Sequence, residues 1–237
     1  LVHQTIEDIH KAVLRGEEHT ITPDAIDAWF STNYAMLSKK ERVYLAPITL
    51  EAARRHVMRY YERENGNWDR VKETEVEISL VKDDYILKGN VDLIRGEGGT
   101  VEVVDFKSEK KPDMEKDRKR LRQYQSQLEV YAHLIEERTG QKVSRMHLYY
   151  TGEQDGNPYV SFAKDDRAIG KTVARFDEIV ERLTAIGLEV DHVETPAEVL
   201  GPFRIARVAT AESRIAAAEA EARRIRTQIK DSALKAP

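Results

Sequence analysis

The stretches KETEVEISLV, residues 72–81, and YILKGNVDLIRGEGGTVEVVDFKS, residues 85–108, decide the fold. In the first, Glu75, Glu77 and Ser79 alternate with Val76, Ile78 and Leu80, the two-residue period of a half-buried strand. Asp83 and Asp84 read as a turn, residues 85–96 as a second strand, Gly96 to Gly99 as another turn, and residues 100–108 as a third strand. Together they form a three-strand meander. In the third strand Val101, Val103, Asp105 and Lys107 share one face, with Glu102, Val104 and Phe106 on the other. Apolar neighbours on both faces predict an internal strand, where an ionised Asp105 is costly unless a cation or donors meet it. Asp92 lies thirteen residues earlier, a separation at which hairpin pairing brings it close to Asp105. Two carboxylates converging at a sheet end suit a divalent ion, which takes few protein oxygens and keeps waters.

Upstream the pattern is helical. Val2, Ile6, Ile9 and Val13 make a stripe of helical period that closes at Gly16; Thr22 and Pro23 read as N-cap and first residue of a second helix; Pro47 opens a third. Downstream, residues 115–139 read as a long helix stopped by Gly140, with Leu121, Tyr124, Leu128, Tyr131 and Ile135 inward. Two strands, KVSRMHLYYT and NPYVSFA, and a helix over residues 166–187 follow. The expectation is an α/β fold, with a mixed central sheet of about five strands flanked by helices. Residues 1–187 are expected to form one domain, and residues 188–237 a linker and a charged C-terminal helix. That helix suits either a solvent-exposed element or a docking helix, and the region after Pro196 is expected to be the least firmly attached.

Composition narrows the chemistry. Among 237 residues, 38 Lys plus Arg against 42 Asp plus Glu leave a net charge of -4, so a globally basic coat is excluded but a local patch is not. With no cysteine, there are no disulfides, thiolate zinc sites, cysteine-ligated clusters or cysteine nucleophiles. No apolar run reaches the roughly 20 residues of a membrane span. A soluble, intracellular and cytoplasmic protein is expected, without membrane contact. The first residue is Leu1, which suggests a part of a longer chain.

A D-x-K triplet is weak by itself where 34% of residues are charged. Its setting adds weight. Two aspartates can hold an ion that polarises a scissile phosphate and lowers the pKa of a bound water, while a lysine neutralises charge or orients that water. Gln127 and Tyr131, at i and i+4, share a helix face and can present an amide and a phenol to the sheet end; they can equally be a boundary glutamine and a core tyrosine. From Lys107 to Arg122, eight basic residues against four acids make a candidate phosphate-binding run, with a solvated charged segment as the alternative. His10 reads as a structural or surface residue. Trp29, Trp68, Tyr60 and Tyr61 read as core and rim aromatics.

GNVDLI, VVDFKS and QLEVY, preceded by VHQTIE, resemble the RecB-like branch of the PD-(D/E)XK nuclease superfamily, as found in the nuclease domain behind UvrD-type superfamily 1 helicases. The resemblance implies a restriction-endonuclease-like core and Mg²⁺- or Mn²⁺-dependent DNA hydrolysis, as an exonuclease or a single-strand or end-processing nuclease in repair or recombination. It implies that His3, Asp92, Asp105 and the carbonyl of Phe106 are metal ligands, that Lys107 is catalytic, and that Gln127 and Tyr131 support the site. Glu7, one turn after His3, matches an acidic position of the same pattern. DNA with single-stranded character and a superfamily 1 helicase, in cis or in trans, are the implied partners. Many relatives carry four cysteines around an iron-sulfur cluster; this chain has none, so no such cluster is expected. The competing readings are a catalytically inactive nucleic-acid-binding module of the same fold and an interaction domain with an accidental triplet. A degenerate copy is expected to lack Lys107 or one of the aspartates, and all are present.

Overall fold

The computed structural model describes residues 1–81, 85–185, 193–194 and 204–207. Three helices come first: α1 (Val2–Leu14), α2 (Pro23–Glu41) and α3 (Pro47–Glu64). Thr22 caps α2, its side chain accepting from the Ala25 N–H at 3.2 Å, and Pro stands at the first turn of both α2 and α3, where no intrahelical N–H is needed. Strands β1 (Val71–Val81), β2 (Tyr85–Glu97) and β3 (Thr100–Lys107) form the expected antiparallel meander. The β2–β3 turn has positive φ at both Gly98 (53°) and Gly99 (87°), the backbone that a two-residue hairpin of matching twist requires.

Helix α4 (Arg118–Thr139) then carries the chain over the sheet to β4 (Val143–Tyr150), parallel to β3; β5 (Tyr159–Ala163) returns antiparallel, and α5 (Asp166–Ala185) packs beside α4. Helix α4 starts three residues later than the sequence suggests. Asp113 Oδ1 accepts from the Glu115 and Lys116 N–H groups, and its own N–H bonds Asp117 Oδ2, a local turn that outcompetes helix there.

The core sheet is mixed, in the order β1-β2-β3-β4-β5, with helices on both faces. It is the expected α/β arrangement of a mixed central sheet flanked by helices. Two further short strands join it: β7 (Arg204–Arg207) pairs with β2 over Tyr85–Lys88, beyond the part of β2 that β3 covers, and β6 (Val193–Glu194) pairs with β7. Residues 193–194 and 204–207, expected as part of a linker, therefore join the sheet. The Asp83–Asp84 turn and the alanine-rich helix expected after Thr210 lie outside the described residues.

Strand β3 separates two cores. Val101 and Val103 pack with Leu128, Leu134, Ile135 and Leu148 under α4, whereas Val104 and Phe106 pack with Ile6, Ile9, Val57 and Tyr60 under α1 and α3. No helix among the described residues is long and apolar enough to cross a membrane.

Candidate active site

Asp105 leaves β3 on the α4 face and is only 3% exposed. A carboxylate buried so deeply needs compensation, and two groups supply it: Gln127 Nε2 donates to Oδ1 at 2.8 Å, and Lys107 Nζ lies 2.6 Å from Oδ2. Gln127 also donates to the Tyr131 hydroxyl at 3.1 Å. The Lys107 ammonium sits 4.1 Å from the centroid of the Tyr124 ring, a cation–π contact. Tyr124, Gln127 and Tyr131 are spaced i, i+3, i+7, so a single face of α4 supplies all three.

The β2–β3 ladder runs from Glu97–Thr100 to Leu93–Val104, and its register sets Asp92 opposite Asp105. Here the Asp92 carboxylate replaces a backbone partner: Oδ2 accepts the Phe106 N–H at 2.7 Å. Because a strand residue's N–H and C=O point to the same edge, the Phe106 carbonyl is directed towards Asp92 as well. Burial, then the neighbouring negative charge of Asp105, push the Asp92 carboxyl well above its usual range; the Phe106 hydrogen bond and the Lys107 charge only partly oppose them. A buried carboxylate, Asp105, and a half-buried one, Asp92, thus share one lysine.

His3, in the first turn of α1, has its ring centroid 6.3 Å from that of Phe106 and feels the charges of both Asp105 and Lys107. Burial lowers its pKa, so the imidazole is neutral at pH 7, and it makes no hydrogen bond among the described residues. Glu7, one turn on, is engaged by Gln4 at 2.6 Å and Lys11 at 2.5 Å. The structure therefore draws Asp92, Asp105, Phe106, Lys107, Gln127 and Tyr131 into one connected set, with His3 beside it.

A neutral imidazole, two carboxylates short of positive charge and a strand carbonyl form a donor set that fits a hard divalent cation with water completing its shell. Among the described residues, no three His, Asp or Glu side chains already stand together as a metal site. The fit is that of an ion held by few protein oxygens.

The surrounding network holds this strand end in place. The Lys107 carbonyl accepts from the Thr151 N–H at 3.0 Å, and Thr151 is fastened by two α3 residues: Arg59 donates to its carbonyl at 2.8 Å and His56 Nδ1 lies 3.0 Å from its hydroxyl. On the other face, His10 lies between Tyr60 and Thr74, whose hydroxyl donates to the Asp92 carbonyl at 3.1 Å. His10 is the structural residue its sequence suggests.

Three features near the site have no role assigned from sequence. Tyr124 reads there as an ordinary inward residue of α4, although its spacing to Gln127 is a usable signal. Glu75 has φ 46° in the middle of β1, a left-handed backbone that strand alternation gives no hint of. Its carboxyl is raised by burial first, then by Glu7 and Asp105. The third is Gly152, discussed below.

The basic run also resolves into parts. Lys111 Nζ bonds the carbonyls of Asn157 and Tyr159, Arg120 pairs with Glu109 at 3.2 Å, and Lys116 lies 3.6 Å from Asp113. Lys110, Arg118, Lys119 and Arg122 are exposed and form no ion pair among the described residues.

Over 41 residues the chain is 61% identical to the phenylalanine–tRNA ligase beta subunit of Mesorhizobium japonicum, which amounts to 17% of this chain and 5% of that protein. Among solved structures it is similar to a candidate exonuclease from Eubacterium rectale, with a TM-score of 0.48 and 14% identity over 81% of this chain and 71% of that one. A model of the PD-(D/E)XK nuclease superfamily matches residues 1–235, from the turn carrying His3 through every strand of the sheet, and the chain accordingly belongs to that superfamily.

Proposed function

We propose that this nuclease is a Mg²⁺- or Mn²⁺-dependent DNase that processes ends or single strands, acting beside a superfamily 1 helicase. Nucleases of this superfamily generally use divalent metal ions. The observation that carries the reading is the connected set at the end of β3: Asp105 held by Gln127 and Lys107, with the Asp92 carboxylate on the Phe106 N–H. Asp92, Asp105, the Phe106 carbonyl and the His3 imidazole would hold the ion, which when bound supplies charge to the scissile phosphate and acidifies a water.

The side chains divide the remaining work. Lys107, steadied by Asp105 and the Tyr124 ring, meets the charge that builds on the phosphate oxygens and orients the attacking water. Gln127 fixes the Asp105 carboxylate and ties it to Tyr131, which limits rotation of both. Lys110, Arg118, Lys119 and Arg122 hold DNA phosphates on the way into the site.

Calorimetric Mn²⁺ titration of Asp105→Ala and Lys107→Ala, with nuclease assays on single- and double-stranded DNA, tests this. Asp105→Ala is expected to lose metal binding and cleavage together. Lys107→Ala is expected to lose cleavage while binding Mn²⁺ at least as tightly, because a competing cation leaves Asp105. Wild-type cleavage by Lys107→Ala, or unchanged Mn²⁺ affinity in Asp105→Ala, rejects the mechanism.

A further inference from the structure

Four of the five most exposed large apolar residues among those described, Met36, Val43, Tyr44 and Ile48, fall in the α2–α3 corner. Tyr44 and Ile48 are each 79% exposed. The same corner carries Lys39, Lys40 and Arg42, all exposed, against Glu41, which is paired to Lys40 at 3.6 Å. Lys39 and Arg42 form no ion pair among the described residues. A wholly apolar patch would suit a protein partner or a lipid surface; an exposed aromatic ring set among unpaired cations suits a polyanion with flat, stackable groups.

The corner is also prepared and well placed. Arg42 ends α2 in the left-handed region (φ 54°), the Leu45 N–H donates to the Tyr34 hydroxyl at 3.0 Å, and Pro47 starts α3, so the short loop bearing Tyr44 is fixed at both ends. A loop whose backbone is fixed in advance loses little backbone freedom on binding. Beside it, a cavity of ≈ 590 Å³ is lined by Gln4, Asn33, Met36, Leu37, Lys39 and Lys40. Gln4 directly follows His3, so one end of this cavity abuts the helix turn that borders the candidate active site.

We infer that the α2–α3 corner is a binding surface for single-stranded nucleic acid, with Tyr44 stacking an unpaired base and Lys39, Lys40 and Arg42 taking the adjoining phosphates. The inference rests on the proposed nuclease reading and extends it: a base inside a duplex cannot offer its face to Tyr44, so the corner selects unpaired strand close to the site of cutting.

Fluorescence anisotropy of the full chain in EDTA, with labelled oligo(dT) and a blunt duplex, tests it. Tyr44→Ala is expected to weaken oligo(dT) binding about tenfold and leave duplex affinity unchanged, while Tyr44→Trp retains or strengthens oligo(dT) binding. Lys39→Ala with Lys40→Ala is expected to lower the slope of log K against log salt for oligo(dT) by about 1.4. Tyr44 is too exposed for its loss to unfold the protein, and equal melting temperatures verify that. Wild-type protein that neither binds nor cuts nucleic acid sinks the nuclease reading and this inference together. Wild-type protein that cuts, with Tyr44→Ala binding oligo(dT) normally, overturns the inference alone; so does an equal loss on both ligands, or sedimentation in which Tyr44→Ala abolishes self-association and leaves DNA affinity intact.

Discussion

Replacing His10 by glutamine should remove a measurable share of the acid sensitivity of this fold. His10 is fully buried, with Nε2 2.6 Å from the Tyr60 hydroxyl, Nδ1 3.3 Å from Thr74 Oγ1, and its ring stacked on Phe106 at 5.9 Å. Thr74 spends its single hydroxyl proton on the Asp92 carbonyl, so Nδ1–H must donate to Thr74 and Nε2 must accept from Tyr60. A second proton on the ring would take away the Tyr60 hydroxyl's acceptor and force it to turn its own proton elsewhere in a buried site, besides placing a charge there. Burial first, and the Arg95 charge second, lower the His10 pKa to about 3. Above an unfolded pKa of about 6.5 both states are neutral and His10 contributes no pH dependence. As pH falls from there towards 3, only the unfolded chain takes up the proton and stability drains away. Between pH 6.5 and 4.5 the loss is about 2 kcal/mol. Asp92, whose pKa is raised, shifts stability the opposite way over acid pH, but it does so in both proteins and cancels in their difference. Urea unfolding at pH 7.0, 5.5 and 4.5 should show His10→Gln, somewhat weaker at neutral pH, overtaking or closing on wild type by that amount. Parallel pH profiles for the two proteins would refute the argument.

Gly152→Ala would bring a Cβ within 2.5 Å of the Glu109 carbonyl carbon and oxygen, which are backbone and cannot swing aside, so we expect a loss of about 1–3 kcal/mol in urea melts and reduced cleavage as the segment after Lys107 shifts. Gln127→Leu strands a buried Asp105 oxygen; a stability cost of about 1–3 kcal/mol and weakened Mn²⁺ binding by calorimetry are expected. Changing Lys110, Arg118, Lys119 and Arg122 together to alanine should lower duplex affinity and flatten its log–log salt dependence by about 3–4, measured by anisotropy, with Mn²⁺ affinity unchanged.

The meander and its faces could be read directly because β3 alternates strictly: Val101 and Val103 do enter one core, and Val104 and Phe106 the other. Helix starts marked by Thr22–Pro23 and Pro47 were equally legible, since capping chemistry is local. The start of α4 was not, because two aspartates around it offered the backbone a competing turn. Strand β7 is illegible for a different reason: RIAR is too short to display a period, and what makes it a strand is the uncovered edge of β2. At the site, residue types and spacing pointed to the Asp105–Lys107–Gln127 contacts, but nothing in Glu75 announces its left-handed backbone. Tyr44 did carry a signal, an aromatic just after three basic residues in KKERVY, and it sits in the exposed corner, whereas Tyr60 and Trp68 are core.

The division of β3 between two cores bears on how such a protein can change. Along residues 103–107, each step alternates between packing under α4 or the reactive groups and packing under α1 and α3, so drift at any position there is felt either as lost chemistry or as a hole beneath a helix. Variation in what the protein acts on must therefore accumulate elsewhere, in segments that belong to neither core, such as the turn at residues 108–117 and the α2–α3 corner. A designer wishing to retarget the protein should leave the strand untouched and randomise those two surfaces.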